Sequence, residues 1–199
     1  MTKRWVLAAM AVLTMTAGLA GCATSTPAPA RYTLPEATGN VAGAEAEHLL
    51  LLRVPRLAHY LDVDGVVMQV DDITLVEARG HQWAETLGHQ MERGLRRRLA
   101  TRLPDTRVMP DEASAREPGA LSLRLEVDRF QGRHDGLAVA GGQWQLRDAD
   151  GNLLVMDSFL VTTELDADGY PALVRALGRS WDGVAERLAD AIQGARQQE

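Results

Sequence analysis

Leu121-Ser122-Leu123-Arg124-Leu125-Glu126-Val127-Asp128 decides the fold. Apolar and polar residues alternate without a break, the pattern of a strand with one buried face and one wet face. The phase slips at Arg129-Phe130, which predicts a bulge. Gly132-Arg133-His134-Asp135-Gly136 reads as a turn, and Leu137 to Arg147 as the next strand. Within that strand Gly141-Gly142 marks a bulge or a close backbone approach. Asp148-Ala149-Asp150-Gly151 is a hairpin turn, and Leu153 to Leu165 completes a three-strand meander.

Gly169 to Gln193 then changes to a helical period. Tyr170, Leu173, Val174, Leu177, Trp181, Val184, Ala185, Leu188 and Ile192 form one apolar stripe, with Arg175, Arg179, Asp182, Glu186 and Asp190 opposite. Asp168 is the expected N-cap, and Pro171 sits in the first turn. The spacing also fits a heptad, so a coiled coil is the alternative, but a single helix after a meander hides its stripe best on the sheet. Upstream, Trp83 to Leu103 reads as a second helix, with Leu87, Met91, Leu95 and Leu99 every four residues and Pro104 as the stop. Such spacing drifts about 40° per step, as in a helix crossing a twisted sheet. Arg93, Arg96 and Arg97 lie on its other side, and the Arg run 96–98 is expected to be a solvated face.

His48 to Val54 is nearly continuous apolar, the pattern of a strand buried on both faces, closed by Pro55. Gly65 to Val70 and Ile73 to Ala78 are short β-rich runs joined at Asp71-Asp72 as a hairpin. Arg31 to Pro35 and Thr106 to Met109 are short strands, while 36–47 and 111–119 are loops. The fold class is therefore α+β: a mixed, largely antiparallel sheet with two long helices packed on one face.

Before this domain stands a different kind of segment. Lys3 and Arg4 open the chain, and Trp5 to Leu19 carries no charge. Its 15 residues are short for a membrane span, which needs about 20. The sequence Leu19-Ala20-Gly21-Cys22 looks like a bacterial lipobox, with cleavage between Gly21 and Cys22 and diacylglycerol on the thiol. The alternative is an ordinary signal peptide cut near Ala20. The expected organisation is a signal peptide over 1–21, the lipidated Cys22 with a flexible linker over 22–30, and one domain over 31–199. Ala23, rather than aspartate, follows the cysteine; under enterobacteria-like sorting that sends a lipoprotein to the outer membrane.

Cleavage leaves 178 residues with 19 basic and 27 acidic side chains, near −8 in net charge. That excludes a nucleic-acid partner, which needs a basic face, and a polybasic membrane patch, so the acyl chains supply the anchoring. With the one cysteine acylated, disulfides and Cys-based metal or nucleophile sites are excluded. His48, His59, His81, His89 and His134 show no metal-ligand spacing, and Asp62, Asp64, Asp71 and Asp72 lack the order of a calcium loop. No nucleophile-elbow, phosphate-loop or dinucleotide motif is present. His134-Asp135 has the residue types of a general base and its orienter, but adjacent residues on a turn point apart. The expectation is no catalytic residues, no metal and no cofactor.

Several stretches, in order, resemble one family: Leu19-Ala20-Gly21-Cys22, Tyr32-Thr33-Leu34-Pro35, Tyr60-Leu61 followed by Gly65-Val66-Val67-Met68-Gln69, Trp83-Ala84 with Leu87, Phe130 to Gly136, Trp144, and Asp168-Gly169-Tyr170 with Trp181. The chain is similar to the ABC-type transport auxiliary lipoproteins, in the branch serving the paraquat-inducible intermembrane transport system. Residue 134, more often tyrosine in that motif, is histidine here.

The resemblance implies a non-catalytic domain held at the periplasmic face of the outer membrane. It would contribute to envelope integrity by docking a PqiB-like MCE-domain tunnel protein, and homo-oligomeric rings are possible in the family. It marks Tyr60, Leu61, Arg133, His134 and Asp135 as partner-contact residues. A lipid-binding carrier, holding an acyl chain in the core, is the alternative.

Overall fold

The computed structural model describes residues 27–36, 46–111 and 118–197. Gly21 and Cys22, the signal peptide, and most of the 36–47 and 111–119 loops lie outside the described residues. Among the described residues nine strands form one mixed sheet: β1 (Ala30–Tyr32), β2 (His48–Leu52), β3 (Arg56–Leu57), β4 (Gly65–Gln69), β5 (Leu75–Trp83), β6 (Thr106–Pro110), β7 (Leu121–Arg133), β8 (Leu137–Arg147) and β9 (Leu153–Glu164). Two helices, α1 (Leu87–Arg102) and α2 (Tyr170–Arg196), pack on it. The α+β class is as the periodicities predict.

The alternating strand is the spine. Along one edge β7 pairs antiparallel with β8, which pairs antiparallel with β9. Along its other edge three short strands follow one another in parallel: β2 beside Leu121–Leu123, β3 beside Glu126–Val127, and β4 beside Gly132–Arg133. Outside these lie β6 on β2, and the antiparallel β5 on β4 with β1 parallel beyond it. The expected bulge falls between Val127 and Arg129. Gly142 lies opposite it, where a Cβ would come within 2.1 Å of the Glu126 carbonyl oxygen, so only glycine allows this approach.

Leu121, Leu123, Leu125, Val127 and Phe130 bury their side chains in the core. Trp181 of α2 is the hub. It meets Phe130 and Phe159 edge to face at 5.9 and 6.2 Å, and its Nε1–H donates to the Met91 carbonyl of α1 at 3.1 Å. The rest of the space is filled by Leu95 and Leu99 from α1 and Leu173, Leu177, Val184 and Leu188 from α2.

Four local expectations need correction. Trp83 does not open the first helix; it ends β5, its N–H bonded to Asp64 O at 2.7 Å, and the helix starts at Leu87. Asp168 does not cap α2: Gly169, at φ 98°, takes the N-cap position. Leu49 and Leu51 of β2 are only half covered, so that strand is buried on one face. Arg98 is not solvated. It is 1 % exposed, and its guanidinium donates to Asp182, to Gly94 O at 3.2 Å and to Pro35 O at 2.9 Å. The drift of the four-residue stripe turns this side of α1 towards α2, where Asp182 supplies the opposite charge.

Candidate functional site

Residues 129, 131 and 133 stand on the face of β7 turned away from the helices, because the bulge flips the alternation after Val127. There they meet Gln69 and Leu75 of the β4–β5 hairpin, Val139 of β8, and Leu160 and Thr162 of β9 around an open groove of about 540 Å³. Arg129 and Arg133 give it a cationic rim, with His134 and Asp72 beside them, and Ile73, Leu75 and Leu160 an apolar wall.

Tyr60, on a short 3-10 turn over His59–Leu61, closes one end. Its hydroxyl donates to the Asp128 carbonyl at the bulge, with Gln131 Oε1 3.2 Å away. Burial, and then the nearby Asp128 carboxylate, raise the phenol above its ordinary value. Tyr60 therefore holds the bulge in place and shows the groove only part of its ring. Gln131 Oε1 also accepts from Phe130 N at 3.0 Å, a second tie within the bulged segment.

The residues marked from sequence divide. Tyr60, Arg133 and His134 line the one groove. Asp135 is exposed on the β7–β8 turn and pairs with Arg133, steering that guanidinium along the rim. Leu61 is 1 % exposed and belongs to the core, because the 3-10 turn points it inward as it points Tyr60 outward; it is removed as a contact residue. Sequence reasoning missed Arg129, Ile73, Leu75 and Leu160. The usable signal was Leu153 to Leu165, which carries apolar residues in both phases of its alternation, more than one covered face can bury.

His81 is stacked between Tyr32 and Tyr170, 4.0 Å from the latter, and is bonded to the Tyr32 hydroxyl at 2.8 Å. Among the described residues no group of His, Cys, Asp or Glu is placed to hold a metal ion, and no helix is long and apolar enough to cross a membrane.

A family model described as the ABC-type transport auxiliary lipoprotein component matches residues 32–189. The chain is 27 % identical over 193 residues to the intermembrane transport lipoprotein PqiC of Escherichia coli (strain K12), covering 96 % of this chain and 98 % of that one. The PqiC of Shigella flexneri matches with the same identity and coverage. A crystal structure of an uncharacterized protein superposes with a TM-score of 0.73 at 27 % identity, over 83 % of this chain and 99 % of that one. A Xanthomonas campestris protein of the same fold superposes with a TM-score of 0.70 at 19 % identity, over 84 % and 97 %.

Proposed function

Because the chain belongs to the ABC-type transport auxiliary lipoprotein family, we propose that it is a non-catalytic adaptor, anchored through acylated Cys22 to the periplasmic face of the outer membrane. Its partner is an MCE-domain tunnel protein, and its work supports lipid transport and envelope integrity. The observation that carries this reading is the contrast between a filled interior and an open outer groove with a cationic rim and an apolar wall. A surface of that kind suits a protein partner of mixed character. Tethering raises the effective concentration of the groove at the membrane, so docking needs little intrinsic affinity.

The carrier alternative is disfavoured by the same contrast. An acyl chain between sheet and helices would have to displace Leu95, Leu99, Phe130 or Trp181, each almost fully buried. A ring of copies around the tunnel end belongs to the proposal. It is favoured by the outer edge of β9, which pairs with no further strand among the described residues and where Leu153, Leu154 and Met156 are exposed.

Cys22→Ser is expected to give a folded, mislocalised protein that takes up no labelled palmitate and no longer supports envelope integrity. Photo-crosslinking from position 133 or 160 is expected to trap the tunnel protein. Full complementation by the soluble Cys22→Ser form, or crosslinks that avoid that partner, would overturn the adaptor reading.

A further inference from the structure

We propose that the tip of the β4–β5 hairpin, with Ile73 at its apex, is a second membrane contact that sits in a zwitterionic phospholipid surface beside the acyl anchor. The proposal rests on the acylation of Cys22 put forward above.

Ile73 is 86 % exposed, more than any other large apolar residue described, and Val70 and Val76 beside it are also open to solvent. The tip is a built turn. Asp71 Oδ1 accepts from Ile73 N at 2.9 Å and from Thr74 N at 2.6 Å. Val70 N bonds to Thr74 O at 3.0 Å, and Gln69 Nε2 to Asp72 O at 3.1 Å. A turn this well tied holds an isoleucine in water with no packing gain for the fold. With Val70 and Val76 beside it, the tip offers a held apolar patch to a contact outside the fold.

The sheet register says what lies there. β1 runs parallel to β5, with Ala30 opposite His81 and Tyr32 opposite Trp83, while β5 begins at Leu75 beside the tip. The chain before Ala30 therefore leaves the domain on the tip side. Pairing of Gln69 with Leu75 and of Gly65 with Gln82 sets the start of β1 about six residue steps from the apex, or roughly 20 Å at about 3.3 Å per residue. Cys22 precedes Ala30 by eight residues, and an extended linker of that length spans roughly 25 Å. The anchor can thus lie in the same plane as Ile73 with the domain upright above it. Asp71 and Asp72 put negative charge at the tip itself, while Asp135 on the neighbouring turn is paired with Arg133; the tip therefore disfavours an anionic surface, which selects zwitterionic phospholipid as the occupant.

The test uses the acylated full mature protein in phosphatidylethanolamine/phosphatidylcholine vesicles carrying brominated acyl chains. With Cys22 acylated, Ile73→Cys provides the one free thiol for an environment-sensitive dye. Asp150→Cys reports from the opposite end, where Leu153 and Leu154 are exposed. The expected result is a blue shift and loss of fluorescence for the dye at 73, and neither at 150. To separate the tip's affinity from the dye's own, a label at Val76 is read with Ile73 kept or changed to Asp; quenching should be lost with Asp. Protein that floats with the vesicles while the dye at 73 stays unquenched overturns the tip contact and leaves the anchor standing. Failure to float overturns both. Quenching at 150 instead, or shielding at 73 only after the tunnel protein is added, also overturns the membrane assignment.

Discussion

Strand β7 has two sides that use the same backbone for different ends. Leu121, Leu123, Leu125 and Val127 press against the helices and are almost free of water. Arg124, Glu126 and Asp128 look the other way, and past the bulge Arg129 and Arg133 join them. The helix side is close-packed and tied across α1 and α2; the outer side keeps a groove and an exposed isoleucine. Stability in this molecule is thus concentrated on one side of a sheet, and the other side is left open for contacts. A substitution on the covered side should be read out in unfolding, and one on the outer side in binding.

The sharpest way to break that division is Trp181→Ala. It removes the hub between Phe130, Phe159 and the Met91 carbonyl, and should cost about 3–5 kcal/mol in chemical denaturation. A loss below about 1 kcal/mol would mean that the covered side is not where the stability lies. Asp182→Ala comes next. It leaves the guanidinium of Arg98 buried without its counter-charge. Breaking a buried pair from one side costs about 3–5 kcal/mol, and the half-exposed carboxylate places this case near 3. Arg98→Met, which keeps the volume and removes the charge, should cost less than Asp182→Ala in the same denaturation series. The reverse order would show that Arg98 acts through its bonds to Pro35 and Gly94 rather than through the ion pair.

The covered side was legible in the sequence and the outer side mostly was not. Alternation from Leu121 to Val127, the slip at Arg129, the Gly141-Gly142 pair and the stripe of α2 are local patterns, and each maps onto an element. Trp83 was misplaced because what holds it in a strand is non-local: its own N–H on Asp64 and the next one on Tyr32. Arg98 was misread because charge predicts solvent, and only the crossing of α1 and α2 reveals Asp182 beside it. The groove needs the bulge, the 3-10 turn and the β4–β5 tip to come together, so no single stretch announces it. Tyr60, Arg133 and His134 were reached through the family resemblance, which also brought in Leu61, although that side chain serves the core.

The smallest effect concerns the outer side alone and compares its two aspartate-clasped turns. The Asp71 carboxylate is held below its ordinary value of 3.8, first by the N–H of Ile73 and then by Thr74, with His134 adding a minor part. Asp148 in the β8–β9 turn is likewise lowered, first by the Asn152 side chain. A depressed carboxylate contributes order that is fully present above its ordinary value and is lost as the pH falls through the lowered one. Amide protection factors at Ile73, Thr74 and Asn152 should therefore stay level on acidification to about 4 and fall only below it. Global unfolding should be unaffected by the same step, since both turns are exposed. Asp71→Ala should remove the protection at Ile73 and Thr74 at neutral pH and leave Asn152 as it was. Protection that fades well above the carboxylate range would mean that the clasp is not the carboxylate, and that the presentation of Ile73 depends instead on the β4–β5 ladder beneath it.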